Sequence, residues 1–428
     1  MSYYLHPMKL LVKNIKGLVG AYESAPALLC GKQMSVLPII ENAWLAVEDG
    51  KVVDFGEMQD WPGISDWSNL EIVDAEGKFI IPGWVDSHTH TVFAASREGE
   101  FVDRIHGLSY ADIAAKGGGI LNSARRLADA DEEQLYQNAL ERVNHLISMG
   151  TTTLEIKSGY GLNLDAELKM LRVIKRLKES TPIQIKSTFL GAHALPTAFK
   201  ENKAGYVDHI INDMIPRVAE EGLADYIDAF CEEGYFSVED TERILAAGAA
   251  CGMKGKIHVN QFTTLGGVAA CVRHNALSID HLEELSEADL SALLEQQKSG
   301  QQTIPVALPS CSFFLRIPYT PARTIIDAGL SLAIATDFNP GTTPSGNMNF
   351  VVSLACIQMR MTPEESINAA TVNAACALEL QDRVGSLTIG HDANFILTKA
   401  IPSLAYLPYA FGDNLIEEVF VGGKVFKK

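Results

Sequence analysis

The alternation of short and long patterned segments restricts the fold of this chain more than any other sequence feature. Between residues 79 and 337, short apolar runs of β type alternate with longer amphipathic segments, a pattern typical of a parallel sheet with crossover helices. Eight parallel strands predict a closed (β/α)8 barrel. The runs are FIIPGWVD (79–86), TTTLEIK (151–157), PIQIKSTFL (182–190), YIDAFCE (226–232), MKGKIHV (253–259), ALSIDHL (276–282), TIPVALP (303–309) and LSLAIATD (330–337).

Helical periodicity fills the gaps between these runs. It is clear in EEQLYQNALERVNHLIS (132–148), DAELKMLRVIKRLKE (165–179), DTERILAAGAA (240–250) and PEESINAATVNAACAL (363–378). The pattern therefore assigns residues 79–385 to an α/β domain of the TIM-barrel type.

The two chain ends carry a different pattern. ENAWLAVEDGKVVDFG and EEVFVGGKVFKK alternate apolar and polar residues around Asp49-Gly50 and Gly422-Gly423, which suit tight hairpin turns. We expect residues 1–78 and 386–428 to form one small β-sandwich domain from both ends. The alternative is two unrelated terminal hairpins.

Charge and composition restrict the partners. The 428 residues include 53 acidic and 35 basic side chains, for a net charge of -18, which argues against binding to nucleic acid or anionic membranes. A small anionic substrate held by a local arginine stays compatible with this charge. No signal peptide and no apolar run of membrane-spanning length are visible, so a cytoplasmic protein is expected. The seven scattered cysteines lack a CxxC pair, and most of them are expected to be reduced core residues.

Ligand-type residues recur where the predicted strands end. His88 and His90 share one face of an extended segment because they are two residues apart. Reactive residues of (β/α)8 barrels lie at the carboxyl ends of strands, at the same rim. The other candidates at this rim are His193, His258, His281 and Asp337.

Four of these residues suit one metal ion. His88, His90, His258 and Asp337 provide three imidazoles and a carboxylate, a set suited to zinc or iron with one position left for water. Such an ion lowers the pKa of its water, so the set indicates a hydrolase. His281 is expected to contact that water or the substrate oxygen, the alternative being a histidine hydrogen-bonded to backbone at a strand end.

Several longer motifs point to a family. HTHTVFAASREGEF, YADIAAKGGGI, EIKSGYGL, LGAHALP, FCEEGYFS, IDHLEEL and TDFNPGT cover most of the barrel. On these motifs the chain resembles the amidohydrolase superfamily and, within it, the imidazolonepropionase family. The resemblance implies a distorted (β/α)8 barrel, one zinc or iron ion per subunit, and hydrolysis of 4-imidazolone-5-propanoate to N-formimidoyl-L-glutamate in histidine degradation.

The resemblance also implies substrate-binding residues. Arg97 offers a planar fork for the propionate carboxylate, the alternative being a solvated surface charge. Tyr160 and His193 are similar to the ring-contacting residues of the family. Asn339, Gly341 and Thr342 resemble the loop that meets the acyl product, although a purely structural turn has the same composition.

The expected chemistry depends on His281 and Asp337. Asp337 is expected to move a proton from the attacking water to the leaving nitrogen, while His281 steadies the charge that grows on the carbonyl oxygen. Gln261 occupies the position where related deaminases have a proton-shuttling glutamate, and we expect it to bind the amide edge of the ring.

Three alternatives remain at this stage. They are a different cyclic-amide hydrolase for a carboxylate-bearing ring, an aminohydrolase of a ring base, and a non-catalytic scaffold. Gln261 and Arg97 count against the aminohydrolase, and the complete set of metal-type residues counts against the scaffold. A homodimer is compatible with this architecture, and the sequence contains no interface signal.

Overall fold

The computed structural model of the protein describes residues 8–427 and contains two eight-stranded sheets. In chain order the strands are β1 Lys9–Val19, β2 Ile39–Glu48, β3 Lys51–Glu57, β4 Leu70–Asp74, β5 Lys78–Pro82, β6 Trp84–Asp86, β7 Thr151–Lys157, β8 Gln184–Ala192, β9 Tyr226–Cys231, β10 Lys254–Val259, β11 Ser278–His281, β12 Ile304–Ala307, β13 Ala333–Ile334, β14 Phe395–Ala400, β15 Ile416–Val421 and β16 Lys424–Val425.

Most of the helices lie between or after the strands of the second sheet, whereas the last one lies between β14 and β15 of the first. They are α1 Glu98–Ile105, α2 Tyr110–Ala115, α3 Gly119–Asp129, α4 Glu132–Ser148, α5 Leu164–Ser180, α6 Lys203–His209, α7 Ile215–Glu220, α8 Val238–Ala250, α9 Gly267–Arg273, α10 Glu287–Lys298, α11 Pro309–Leu315, α12 Ala322–Asp327, α13 Met348–Ile357, α14 Pro363–Ala370, α15 Val372–Cys376 and α16 Tyr406–Tyr409. The periodic segment 132–148 forms α4 over its whole length. The segment 363–378 is divided at Thr371, whose φ of -129° and ψ of -83° are not helical.

The first sheet joins both chain ends, as the hairpin patterns predict. Its order is β16-β15-β14-β5-β1-β2-β3, and β4 pairs with β1. The sheet curls until the turns at Gly50 and Gly422 are in contact. A Cβ placed on Gly50 would lie only 3.2 Å from the carbonyl oxygen of Gly422. Apolar side chains from both ends, among them Leu45 and Phe395, are therefore enclosed in one core.

The second sheet is the expected barrel. Its eight strands run from β6 to β13 in sequence order, and neighbouring strands are parallel. The ring is completed by a parallel bridge between Thr89, after β6, and Phe338, after β13. The carboxyl ends of all eight strands therefore surround one opening, as in other (β/α)8 barrels.

The run predicted as the first barrel strand, residues 79–86, is two strands in two sheets. Lys78–Pro82 pairs with β14 through Ile80 and Ile81, whereas Trp84–Asp86 pairs with β7. The chain changes sheets at Gly83, where a Cβ would lie 2.2 Å from the Thr152 hydroxyl oxygen. Continuous hydrophobicity hides this change, because both halves are buried.

None of the helices in the described part of the chain is both long and apolar enough to cross a lipid bilayer.

Candidate metal centre and active site

The metal-type residues predicted at the strand ends come together at the barrel opening. The Nε2 atoms of His88 and His90 lie 3.5 and 3.6 Å from Asp337 Oδ1. The ring centroids of His88 and His258 are 4.5 Å apart. Two sets of donor atoms, His88 with His90 and Asp337, and His88 with His258 and His281, each lie within 4.8 Å of one another. His88 belongs to both sets.

Carboxylates behind the histidines determine how the rings are oriented. Asp280 Oδ2 lies 2.6 Å from His88 Nδ1, and Asp228 Oδ2 lies 2.8 Å from His258 Nδ1. Each contact places the proton on Nδ1 and leaves Nε2 with a lone pair for a cation. His88 Nε2 is buried and, within residues 8–427, has no hydrogen-bond partner. The donor set therefore fits a divalent ion such as zinc or iron.

A buried lysine connects the two carboxylates. Lys157 Nζ lies 3.0 Å from Glu155 Oε1, 3.0 Å from Asp228 Oδ2 and 3.6 Å from Asp280 Oδ2. Burial alone would lower the pKa of Lys157, but the surrounding carboxylates raise it above its usual value. The lysine is therefore a permanent cation beneath the candidate metal ligands. Through Asp228 and Asp280 it supports two of these histidines at once.

Burial also keeps the ligand histidines neutral. It holds the pKa values of His88, His90 and His258 well below the usual value, and nearby cationic groups add to this effect. Neutral imidazole is the form that binds a metal ion. Burial raises the pKa of Asp337 to about 6.

His281 has a different environment from the ligand histidines. Its Nδ1 lies 3.2 Å from Glu283 Oε1, and burial, which alone would lower its pKa, is outweighed by the carboxylates of Glu283 and Asp337, which raise it. Its backbone φ is 94°, a region that residues with a Cβ avoid. This conformation and the Glu283 contact aim the His281 ring at the same opening.

The cavity beside this centre contains most of the predicted substrate-binding residues. It is lined by His90, Arg97, Ile120, Tyr160, His193, Phe230, His258, Gln261, His281, Asp337, Asn339 and Thr342. His88 lies beneath this surface and Gly341 beside it.

Arg97 is buried rather than solvated. Only 5% of the residue is exposed, and its Nε and Nη1 atoms have no hydrogen-bond partner among residues 8–427. Its nearest carboxylate, Glu100 Oε2, is 3.7 Å from Nε, an ion pair without a hydrogen bond. A buried guanidinium with unused donors at the edge of a cavity is suited to a ligand carboxylate.

The loop that carries Tyr160 is held by a buried carboxylate. Glu167, in the first turn of α5, accepts hydrogen bonds from the backbone N–H groups of Gly159, Gly161 and Leu162, at 2.7 to 3.1 Å. His193 lies against this loop, with Nδ1 2.9 Å from the Gly159 carbonyl oxygen. Burial lowers the pKa of His193 to about 4, so its Nε2 is an acceptor.

The NPGT loop is organised by its own asparagine. Asn339 Oδ1 accepts from the backbone N–H groups of Gly341 and Thr342, and Nδ2 donates to the Asp337 carbonyl oxygen and the Thr342 hydroxyl. Gly341 packs against Arg97, and a Cβ there would lie 1.3 Å from Arg97 Nη2. The side chain of Asn339 thus shapes the turn, while Gly341 leaves the space that the guanidinium occupies.

Several residues of the site carry no sequence signal of their own. The carboxylates and lysine behind the candidate ligands lie inside runs that the sequence analysis predicted as strands without giving these residues a role, and Cys311 was expected in the core. Asp280 could have been found, because it is the one carboxylate in the run ALSIDHL and directly precedes His281. These residues are Glu155, Lys157, Glu167, Asp228, Asp280, Glu283 and Cys311.

Both the sequence and the fold are similar to those of known proteins. The sequence profile of the Amidohydrolase family matches residues 79–426. An imidazolonepropionase from Christiangramia forsetii is 55% identical over 418 residues, which cover 98% of this chain and 100% of that protein. An imidazolonepropionase from Alkaliphilus oremlandii is 41% identical and covers 92% of each chain.

Solved structures with lower sequence identity have a similar fold. A 5-methylcytosine deaminase from Klebsiella pneumoniae superimposes with a TM-score of 0.73 at 17% identity, covering 98% of this chain and 97% of that one. The guanine deaminase of E. coli gives a TM-score of 0.72 at 16% identity, covering 98% of each chain. At this identity the likeness concerns the fold alone.

Proposed function

The chain belongs to the amidohydrolase family and, within it, to the imidazolonepropionases, and on this premise we propose that it hydrolyses 4-imidazolone-5-propanoate to N-formimidoyl-L-glutamate. The reaction adds one water and breaks the cyclic amide C–N bond, a step of histidine degradation. The observation that supports this substrate most directly is the buried guanidinium of Arg97, with two donor nitrogens, Nε and Nη1, free of hydrogen bonds within the described chain.

The propionate tail suits this guanidinium. A carboxylate accepts two parallel N–H bonds from arginine, and such charge-assisted pairs are about twice as strong as neutral hydrogen bonds. Because Arg97 is 5% exposed, a substrate that reaches it replaces little water. A neutral ring base would leave the Nε and Nη1 donors of this buried guanidinium without a charged acceptor, which is costly.

The residues that would hold the metal are His88, His90, His258 and Asp337. When bound there, a zinc or iron ion supplies an acidified water and polarises the scissile carbonyl. Lys157, through Asp228 and Asp280, holds two of these ligands in place.

Two side chains perform the proton and charge steps. Asp337 lies close to both the ligand histidines and the cavity, so its carboxylate can take a proton from the attacking water and pass it to the leaving ring nitrogen. His281, held by Glu283, donates to the carbonyl oxygen as its negative charge grows.

Gln261 favours a cyclic amide over an aminohydrolase substrate. A carboxamide donates and accepts hydrogen bonds but does not exchange a proton at neutral pH. Its loop is fixed by Glu232, whose Oε2 accepts from the Phe262 backbone N–H at 2.9 Å. Gln261 therefore suits recognition of the ring, and the second candidate function is hydrolysis of another cyclic amide that carries a carboxylate.

The test is the loss of the ultraviolet absorbance of freshly made 4-imidazolone-5-propanoate in the presence of zinc- or iron-loaded protein. His88→Ala is the control, because this compound also decays spontaneously. Loss that depends on His88 supports the proposal. No acceleration by protein with one bound metal ion per chain would contradict this substrate and leave other cyclic amides. Metal analysis of the purified protein identifies the ion.

A further inference from the structure

Gln261 has a second contact, on the side away from the cavity. Its Nε2 lies 3.4 Å from the sulfur of Cys311, in the first turn of α11. Cys311 is fully buried and does not line the cavity. The sulfur therefore contacts, from the protein interior, an amide that lines the cavity.

The direction of this contact determines how the amide is oriented. Gln261 Nε2 donates to the Cys311 sulfur, which accepts with a lone pair. Because Gln261 itself lines the cavity, the carbonyl oxygen of the same amide is turned toward the cavity as a hydrogen-bond acceptor.

We infer that Cys311 is a positioning residue that fixes the Gln261 amide with its oxygen toward the cavity, so that the site selects rings presenting an N–H at that edge. This inference rests on the proposed function and identifies the contact that determines which rings the site binds. Cyclic amides of the imidazolone and hydantoin type carry such an N–H. A ring with a bare nitrogen or an N-methyl group at that edge would meet an oxygen that cannot donate.

The hydrogen-bonding groups of Gln261 and Cys311 are matched to each other. A glutamate at residue 261 has no N–H group to donate, so the contact from Nε2 to the sulfur would be lost. An alanine at residue 311 would remove the acceptor for the NH2 group and let the amide rotate. A serine would retain one donor and acceptor oxygen at the same place.

The test compares ring binding by the zinc-loaded holoenzyme and its variants. The probes are hydantoin-5-propanoate and its two derivatives methylated at one ring nitrogen, with Kd measured by calorimetry. We expect the wild-type protein to prefer the unmethylated ring over at least one derivative. Cys311→Ala should reduce this preference about three- to tenfold, the range of one hydrogen bond, and Cys311→Ser should retain most of it.

A double-mutant cycle with Gln261→Ala separates positioning from general packing. If Cys311 acts through the amide, the preference in Gln261→Ala is already lost, and adding Cys311→Ala changes it no further. An unchanged preference in Cys311→Ala, additive losses in the cycle, or no probe binding by the wild-type protein would overturn the inference. Turnover of 4-imidazolone-5-propanoate by the wild-type protein reports separately on the proposed function, so the two can fail independently.

Discussion

Replacement of Lys157 by methionine tests how the metal ligands are supported. Lys157 is fully buried and pairs with the carboxylates that orient His88 and His258. Without this cation, the buried carboxylates of Asp228 and Asp280 lose the positive charge that lies between them. Their mutual repulsion then moves them away from the imidazole Nδ1–H groups that they hold. Both ligand rings would then lose orientation and basicity.

The expected loss of metal affinity can be estimated from this geometry. Removal of an outer partner of a ligating histidine costs about 10- to 100-fold in affinity, or about 1.4 to 2.7 kcal/mol. Breaking a buried ion pair costs about 3 to 5 kcal/mol in the free energy of unfolding. Lys157→Met should therefore bind zinc about 10- to 100-fold more weakly, measured by competition with a fluorescent chelator, and unfold at lower denaturant concentration.

Lys256→Met is the matched control. Lys256 is also fully buried, on β10 two residues before His258, but its Nζ contacts the Ser278 hydroxyl at 2.9 Å and the Ala377 carbonyl oxygen at 3.2 Å. It reaches Asp280 only through Ser278. We expect Lys256→Met to destabilise the fold and to change zinc affinity less than Lys157→Met. Equal zinc affinities of the two variants would refute the role assigned to Lys157.

Four further outcomes follow from the site. His258→Ala should lose bound metal and turnover together, as measured by metal analysis and the absorbance assay; retained metal would contradict its place as a ligand. Arg97→Ala should keep its metal and raise KM about 10- to 150-fold, the range for a lost charge-assisted hydrogen bond; an unchanged KM would refute tail binding. Gly341→Ala should raise KM and retain its metal, because the added Cβ would lie 1.3 Å from Arg97 Nη2 and displace the guanidinium. A KM equal to that of the wild-type protein would show that the loop moves to accept the methyl group. Removal of the metal by a chelator should lower Tm and zinc should restore it, because an ion that binds only the folded state stabilises it; an unchanged Tm would argue against the site.

Much of the barrel is visible in the sequence because its elements are local patterns. The run TTTLEIK forms β7 and the periodic segment 132–148 forms α4, each with the predicted bounds. The fold class and the family were confirmed, and most of the motifs that indicated the family lie at strand ends. The run 79–86 was the exception, since two buried strands in different sheets look like one when Gly83 alone marks the change.

The residues that support the candidate metal ligands and Gln261 were harder to identify from the sequence. Asp228 and Lys157 lie in strand runs where a polar residue has many explanations, and only the assembled barrel places them beneath the ligands. The interpretation of Cys311 as core was correct for its burial but missed its contact with Gln261. Such contacts join residues that are distant in the chain, and no local pattern encodes the pairing.

The amino-acid sequence by itself determined the order of strands and helices, the pairing of the two ends and the residue types available for a metal, because hydrophobic periodicity and strand geometry act over a few residues. The tertiary structure decided which of these side chains meet. Asp337 and His281 reach the site with φ values of 55° and 94°, conformations that isolated residues avoid and that the packed barrel imposes. Closure of the ring between Thr89 and Phe338 then brings His88 to Asp337, a contact that no segment of the chain could form alone.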